Sequence, residues 1–189
     1  MNGLFEAAAE IQEFLQHRDW RFCIIGGLAV IRWGQPRATR DVDISLFVEF
    51  GEESSYVDEL FGEYAERIPD AREFALQSRV VLIHASNGTP VDIALAGFPY
   101  EEQIMQRATA FEYAPDVLLV TASAEDIVVL KAFASRDRDW DDIQGIAIRQ
   151  MLSLDWDYVF AELASLCELK GDHEPVEHLR RIQTATSAD

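Results

Sequence analysis

The sequence predicts a mixed α/β fold of the α+β type, with a helical segment at its C-terminal end. Short apolar runs typical of strands alternate with amphipathic helical patterns as far as residue 122, and the pattern is helical from there on. At 189 residues with a hydrophobic share of 49%, the chain can bury a real core. We therefore expect an α/β core over residues 1–122 and a helical segment over 123–189, which packs on the core or forms a single domain with it.

The first part of the chain shows the elements of a small mixed sheet flanked by helices. Apolar residues at helical spacing predict a helix over residues 4–17. A strand over 20–25, a helix over 28–33, a strand over 43–50 and a helix from 54 or 55 to 68 follow. Asn87-Gly88 lies between two strand-like runs, 79–85 and 91–95, which is typical of a hairpin with a primed turn.

The later elements are a helix over 99–109, an edge strand over 117–121 and four further helices. Ser123 and Asp126 have the spacing of a capping box, which predicts a helix start at this point. The remaining helices are expected over 139–150, 155–169 and 174–184.

The charge balance limits the partners of this protein. The formal net charge is -18, and a protein that grips many phosphates needs a basic face, so a broad nucleic-acid interface is disfavoured. Arg32, Arg37 and Arg40 nevertheless lie close to Asp41 and Asp43 in the sequence. This grouping indicates a local basic pocket beside two carboxylates.

The apolar stretches, cysteines and histidines of the sequence bear on its compartment and on metal binding. No apolar stretch approaches the roughly 20 residues that span a bilayer, so we expect no membrane association. Cys23 and Cys167 fit reduced, buried thiols better than a disulfide, which favours the cytoplasm. Four scattered histidines give no zinc pattern.

Asp41 and Asp43 are the first candidate catalytic residues. They are two positions apart at the start of a strand, so both side chains lie on one face, roughly 6 to 7 Å apart along it. Three carboxylates about 5 Å apart would repel by about 3 kcal/mol per pair at an effective dielectric near 20. Magnesium with phosphate oxygens would relieve such repulsion, and Asp92, on the second strand of the hairpin, is the candidate third carboxylate. Taken singly, each aspartate also fits an ordinary solvated residue.

Gly26 and Gly27 end one strand and precede a helix. Their backbone N–H groups and the helix N-terminus suit phosphate oxygens, although an ordinary tight turn is the simpler interpretation of a glycine pair. No Gly-Lys-Ser/Thr follows, so the pair is not a Walker loop.

The longest motif comprises Gly26-Gly27, Ala29, Val30, Gly34, Pro36-Arg37, Thr39 and Asp41-Val42-Asp43-Ile44. It resembles the first motif of the DNA polymerase β-like nucleotidyltransferase superfamily and, within it, the minimal bacterial nucleotidyltransferases that include the AbiEii-type toxins. The resemblance implies a nucleotidyltransferase fold, a nucleoside triphosphate substrate and two Mg²⁺ ions. In this chain it implies that Asp41, Asp43 and Asp92 bind the metals, and it implies a nucleotide-binding set of Gly26, Gly27, Arg37, Thr39 and Lys131. Many relatives carry Ser after the first Gly, and Gly27 lacks that hydroxyl.

A second motif in the helical segment supports the same family. Its residues are Lys131, Arg136, Arg138, Asp139 and Asp142, and they resemble the Lys, Arg and Asp-rich helical motif of the AbiEii-type relatives. The resemblance implies that Lys131 faces the nucleotide phosphates and that the two aspartates orient it or a substrate group. A solvated helix junction with alternating charges explains the segment equally well.

The favoured function is transfer of a nucleoside monophosphate from a nucleoside triphosphate to an acceptor hydroxyl, with Arg37 and Lys131 neutralising the triphosphate. The acceptor is open among a tRNA end, a protein side chain and a small alcohol. The alternative is a nucleotidyltransferase-like module without turnover, which binds a ligand or an antitoxin-like partner. Phosphohydrolases with an aspartyl nucleophile also show Asp-x-Asp, but there the pair directly follows a buried strand, whereas Arg37-Ala38-Thr39-Arg40 precedes it here.

Overall fold

Strands and helices alternate through the first two thirds of the chain, and helices alone make up the last third. The computed structural model describes residues 2–151 and 153–187. Over these residues the helices are α1 (Asn2–Gln16), α2 (Gly26–Trp33), α3 (Glu53–Glu63), α4 (Ala71–Ser78), α5 (Pro99–Arg107), α6 (Ala124–Ala134), α7 (Asp137–Gln150), α8 (Trp156–Lys170) and α9 (Glu174–Ser187). The strands are β1 (Phe22–Ile25), β2 (Val42–Phe47), β3 (Ala65–Glu66), β4 (Val80–His84), β5 (Pro90–Ala96), β6 (Thr109–Ala114) and β7 (Val117–Thr121).

The chain divides into two compact units. The first unit contains residues 1–28 and 38–122, and the second contains residues 29–37 and 123–189. The sheet and its helices α1, α3, α4 and α5 form the first unit, and helices α6 to α9 belong to the second. The segment 29–37, which includes most of α2, groups with the second unit.

The first unit is built on one mixed sheet with the strand order β3-β4-β5-β2-β1-β7-β6. Strands β2 and β5 pair in parallel at its centre, as do β1 and β7, and the other neighbours are antiparallel. On β2, the side chains of Ile44 and Leu46 are fully buried, because alternate residues of a strand face one side. The predicted mixed α/β fold is confirmed.

The second unit is a group of four helices that contact one another. Helix α6 packs against α7 and α8, and α9 packs against α7 and α8. Ser123 begins the unit as the predicted cap, since its side chain accepts a hydrogen bond from the backbone of Asp126. Trp140 of α7 stacks on the ring of His178 in α9, with 3.9 Å between the ring centroids.

Several predicted boundaries are wrong at the edges of the sheet. The helix expected as far as residue 68 ends at Glu63, because the chain turns into β3, which pairs with β4. Helix α4 was not predicted at all. The helix expected over 99–109 ends at Arg107 and is followed by β6, which makes β7 an inner strand instead of the predicted edge. Strand β3 has two residues and its partner β4 lies beyond α4 in the sequence, whereas β6 pairs with β7, the next strand of the chain.

The predicted hairpin between β4 and β5 is present, but its turn differs from the prediction. Gly88 has a φ of +81°, whereas Asn87 does not have a positive φ. A primed type I turn needs a positive φ at both central residues. The backbone N–H of Gly88 instead bonds to the carbonyl oxygen of Ala85, and the N–H of Ala85 bonds to Thr89, which gives a three-residue loop that ends in a left-handed glycine.

The structure also describes the two cysteines and the apolar character of the helices. Cys23 and Cys167 are free and buried, as predicted. Within residues 2–151 and 153–187, no helix combines the length and the apolar character that a membrane span requires.

Candidate active site

The parallel pairing of β2 and β5 brings Asp43 and Asp92 side by side. The two residues are register partners, and neighbouring strands lie about 4.8 Å apart. Directly paired residues also share a face of the sheet, so both carboxylates project on the same side. Both side chains are half-buried. The hairpin strand that carries Asp92 is thus the parallel neighbour of the strand that carries Asp43.

Asp41 lies just before β2, two residues from Asp43, and is also half-buried. Its Oδ1 accepts a hydrogen bond of 2.9 Å from Oγ1 of Thr39. The connection that leads into β2 thus fixes the first of the three predicted carboxylates through a neighbouring hydroxyl.

Gly26 is in direct contact with Asp43. It starts α2 immediately after β1, and it has a φ of +59°, which favours glycine. A Cβ at this position would overlap the carboxylate of Asp43. The glycine therefore allows the close approach of Asp43 to the start of α2, where the backbone N–H of Gly27 donates to its Oδ2 at 3.3 Å.

Gly27 gives similar room to Thr39. A Cβ on Gly27 would lie 2.7 Å from the Cβ of Thr39, which is closer than real side chains approach. The Thr39 side chain thus fills the space beside Gly27, with its hydroxyl oxygen 2.4 Å from the position that a Cβ on Gly27 would take. Gly26, Gly27, Thr39, Asp41 and Asp43 form one continuous local cluster in the first unit.

Arg67 is a site residue that the sequence reasoning missed. Its Nη1 lies 2.5 Å from Oδ1 of Asp92, as an ion pair. Among the described residues, this Oδ1 is buried and accepts no aligned hydrogen bond. Arg67 directly follows β3, which the sequence reasoning placed in a helix, so nothing in the pattern indicated its contact with Asp92.

The carboxylate donors fit magnesium in kind. Carboxylate oxygens are the ligands that Mg²⁺ prefers, and Asp43 and Asp92 present two carboxylates side by side on one face of the sheet. Within residues 2–151 and 153–187, no three His, Cys, Asp or Glu side chains are placed to enclose an ion alone. Mg²⁺ is commonly held by one or two carboxylates together with substrate phosphates and water, so this arrangement agrees with a metal that arrives with its nucleotide.

The second predicted motif forms an ion network in the second unit. We call it the Lys131 network, and its members are Lys131, Asp139, Asp142, Arg37 and Arg136. Lys131 is buried and donates to Oδ1 of Asp139 at 2.8 Å, and its Nζ lies 2.8 Å from Oδ2 of Asp142. Arg37 binds Asp142 through two hydrogen bonds of 2.7 and 3.0 Å. Arg136 binds Asp139 in the same two-pronged way, at 2.6 and 3.4 Å.

The network holds both aspartates in the charged form. Burial alone would raise the pKa of Asp139, but hydrogen bonds from Arg136 and Lys131 outweigh it and leave the pKa below its usual value. The pKa of Asp142 is lowered in the same way, because hydrogen bonds from Arg37 and Lys131 outweigh its burial. Arg138, the remaining residue of the motif, is exposed.

Arg37 borders open space as well as the network. Its side chain is 37% exposed, whereas that of Lys131 is 8% exposed. A cavity of about 200 Å³ lies next to Arg37 and is lined by Gln35, Pro36, Arg37, Asp141, Asp142 and Gly145. Of the two cations predicted to bind the nucleotide, Arg37 is thus the one that a ligand can reach without displacing an aspartate.

Solved structures of low sequence identity share this fold. A crystal structure of an antigenic nucleotidyltransferase-like protein from Paracoccidioides brasiliensis is 16% identical, with a TM-score of 0.50 over 93% of this chain and 92% of that one. The lincosamide antibiotic adenylyltransferase LnuA, bound to lincomycin, is 14% identical, with a TM-score of 0.51 over 75% of this chain and 94% of that one. The antibiotic-resistance factor ANT(2'')-Ia is 18% identical, with a TM-score of 0.53 over 95% of this chain and 98% of that one.

Sequence comparison identifies the family. No curated protein sequence matches the chain. The sequence profile of a family described as "Nucleotidyltransferase of unknown function (DUF6036)" matches residues 2–179. The match covers nearly the whole chain, and the motif of Gly26, Gly27, Asp41 and Asp43 lies inside it. The protein therefore belongs to this nucleotidyltransferase family.

Proposed function

We propose that this protein transfers a nucleoside monophosphate from a nucleoside triphosphate to an acceptor hydroxyl. The observation that carries the proposal is the register of β2 and β5, which pairs Asp43 with Asp92 beside the glycines that begin α2. Two carboxylates at this spacing repel each other in the absence of a cation. The site is therefore suited to a metal-bound triphosphate.

Three aspartates would hold two Mg²⁺ ions. Asp41 and Asp43 would ligate both ions, and Asp92 would complete the second. When bound, the ions would supply charge neutralisation at the triphosphate and a lowered pKa of the acceptor hydroxyl. Oxygen atoms of the triphosphate and water would complete the ligand sets, as is usual for Mg²⁺.

The residues around the metals have separate tasks. The backbone N–H of Gly26 would donate to a phosphate oxygen at the N-terminus of α2. The N–H of Gly27 donates to Oδ2 of Asp43 in this structure, so it would have to share or give up that partner to bind phosphate. The acceptor oxygen would bond to the α-phosphorus as the bond from that phosphorus to the bridging oxygen breaks, and pyrophosphate leaves. Asp92 would help to accept the proton of the acceptor hydroxyl.

Arg37 and Lys131 would offset the negative charge of the departing pyrophosphate. The side chain of Arg37 is 37% exposed, so an anion can reach its guanidinium. Lys131 is buried between Asp139 and Asp142, so a phosphate contact would require it to give up at least one of these partners. Its predicted role at the nucleotide stays a prediction.

The acceptor is a tRNA end, a protein side chain or a small alcohol. The net charge of -18 disfavours a large nucleic acid. Two proteins of similar fold are described in complexes with lincomycin and with adenylyl-2''-tobramycin, and the second complex contains an adenylyl group. We therefore propose ATP as the first donor and hydroxyl-bearing small molecules as the first acceptors to test.

A transfer assay tests the proposal. The purified protein is incubated with Mg²⁺, α-phosphate-labelled ATP and, in turn, a panel of small alcohols, a tRNA pool and a protein extract. We expect label to appear on one acceptor class with stoichiometric release of pyrophosphate. Asp43→Asn should remove transfer, whereas Asp58→Asn, which alters an exposed carboxylate of α3 in the same unit, should leave it unchanged.

The alternative proposal is a module that binds nucleotide without turnover and acts through a partner such as an antitoxin. The acidic surface and the absence of a hydroxyl on Gly27 favour it. Tight triphosphate binding with no pyrophosphate release from any acceptor would support this alternative. Metal-dependent transfer would exclude it. A cytoplasmic location is predicted for both functions.

A further inference from the structure

We propose that Arg67 is a positioning residue that pins one oxygen of Asp92 and thereby sets which oxygen serves the reaction. The inference rests on the proposed function, because it concerns the third carboxylate of that site. Arg67 belongs to neither of the sequence motifs. We assign it to the site only because of its contact with Asp92.

The contact is selective for one oxygen of the carboxylate. Arg67 Nη1 lies 2.5 Å from Oδ1 of Asp92, and this Oδ1 is fully buried. The Asp92 side chain as a whole is nevertheless 36% exposed. Its exposed surface therefore belongs to the part of the side chain that carries Oδ2. Asp92 is held at its buried oxygen and open at the other.

The backbone around Arg67 is fixed by the sheet. The N–H of Arg67 donates to the carbonyl oxygen of Leu82 at 3.1 Å, and Leu82 is the register partner of Asp92. Glu66, the residue before Arg67, pairs with Ile83. The short strand β3 thus places Arg67 across β4 from Asp92. The pairing of this two-residue edge strand with β4 thus positions Arg67 for its ion pair with Asp92.

The chemistry of the side chain suits a fixed role. A guanidinium keeps its charge at every physiological pH, so its ion pair with Oδ1 of Asp92 persists over that whole range. In the protein without metal, it also offsets the repulsion between Asp92 and its neighbour Asp43. The Arg67 side chain is 24% exposed, so most of its surface is covered by neighbouring residues. We infer that Oδ2 is the oxygen that meets the metal and the acceptor proton.

The test uses Arg67→Gln, Arg67→Lys and a matched control, Arg72→Gln. Arg72 also binds a carboxylate in the first unit, since its hydrogen bonds to Asp58 measure 2.6 and 3.1 Å, but both partners are exposed. Bound Mn²⁺ is counted by electron paramagnetic resonance in the presence of a non-hydrolysable triphosphate. The kcat and KM of transfer are measured on the same preparations.

We expect Arg67→Gln to weaken the second Mn²⁺ by about 10- to 100-fold, as is usual when a residue that orients a ligand is lost. The first Mn²⁺ and the KM for the triphosphate should change little, and kcat should fall. Arg67→Lys should restore part of the second Mn²⁺ affinity, and Arg72→Gln should behave as wild type. If Arg67→Gln does not fold, Arg67→Lys carries the test, with a smaller loss in the same direction.

Two results would overturn the inference. One is an Arg67→Gln variant whose second Mn²⁺ binds as in wild type. The other is equal weakening of both Mn²⁺ ions, which would indicate general damage. A double-mutant cycle of Arg67→Gln with Asp92→Asn, monitored by melting temperature in EDTA, separates this inference from the proposed function. Wild type that binds no Mn²⁺ while the cycle shows coupling would refute the proposed function and reduce the pair to a structural one.

Discussion

Replacement of Lys131 by methionine tests whether the Lys131 network holds the second unit together. The substitution keeps an unbranched apolar side chain of similar length and removes only the ammonium group. Lys131 is buried and lies 2.8 Å from oxygen atoms of both Asp139 and Asp142. Both aspartates are themselves buried, so the substitution leaves two carboxylates in the protein interior with less compensating positive charge.

The expected magnitude follows from the partners that remain. Loss of one partner of a buried ion pair costs about 3 to 5 kcal/mol. Asp142 keeps Arg37 and Asp139 keeps Arg136, so we expect the lower limit, a loss of about 3 kcal/mol in the free energy of unfolding. This corresponds to roughly a hundredfold increase in the unfolding equilibrium constant.

Urea unfolding at pH 7, monitored by tryptophan fluorescence, measures the change. The matched control is Lys170→Met, because Lys170 is exposed and lies 3.8 Å from an exposed Asp172 in the same unit. A surface pair of this kind contributes about 0 to 1 kcal/mol. Addition of Asp139→Asn to Lys131→Met should recover part of the lost stability, because it removes a buried carboxylate that has lost one of its two cationic partners.

The reasoning fails if Lys131→Met and Lys170→Met lower the free energy of unfolding by the same small amount. It also fails if the added Asp139→Asn makes the protein less stable than Lys131→Met alone. Either result would mean that Lys131 is solvated in the folded protein and that its contacts with the two aspartates are not stabilising.

Three further predictions concern pH and local packing. The pKa values of Asp139 and Asp142 are lowered in the folded protein, so these carboxylates stabilise the fold above their unfolded pKa of 3.8. The free energy of unfolding should therefore fall as the pH drops below about 4, and it should fall less steeply in the Asp139→Asn, Asp142→Asn double variant. A fall of equal steepness in both proteins would contradict this. Burial, with the charge of nearby glutamates, raises the pKa of Tyr64 to about 12, so its stabilising effect is present below pH 10 and lost toward pH 12. An ultraviolet titration of the tyrosines should show a component that ionises near pH 12, and this component should be absent from the Tyr64→Phe variant. Gly26→Ala should destabilise the fold by at least about 1 kcal/mol through its positive φ and its overlap with a carboxylate, whereas Gly62→Ala, in an open helix position, should stabilise it by about 0.5 to 1 kcal/mol. Urea unfolding measures the change in the free energy of unfolding for both variants. Equal changes in Gly26→Ala and Gly62→Ala would contradict the role given to Gly26.

Local patterns were enough to predict the centre of the sheet. In β5, partly exposed and buried residues alternate from Pro90 to Leu95, whereas β2 buries Ile44, Ser45 and Leu46 in succession. Both segments nevertheless carry apolar residues at every second position, which is a clear strand period in the sequence. The glycine pair was also informative, since Gly26 has a backbone conformation that other residues rarely adopt.

Contacts that depend on tertiary pairing were not predictable. Strand β3 has only two residues, and both are exposed, so it has no hydrophobic period. Arg67 becomes a neighbour of Asp92 only when β3 pairs with β4, which no local pattern indicates. The same holds for Arg37, whose partner Asp142 lies more than one hundred positions away in the sequence. The motif had placed Arg37 at the nucleotide without any indication of this pair.

The central claim is that the carboxylates of β2 and β5 bind a metal-bound triphosphate. Calorimetric titration of the purified protein with a non-hydrolysable ATP analogue, in Mg²⁺ and in EDTA, tests it most directly. The account predicts binding of one analogue per chain in Mg²⁺, and loss of binding both in EDTA and in the Asp41→Asn, Asp43→Asn double variant. Absence of binding to the wild-type protein in Mg²⁺, or binding of equal strength in the double variant, would contradict it.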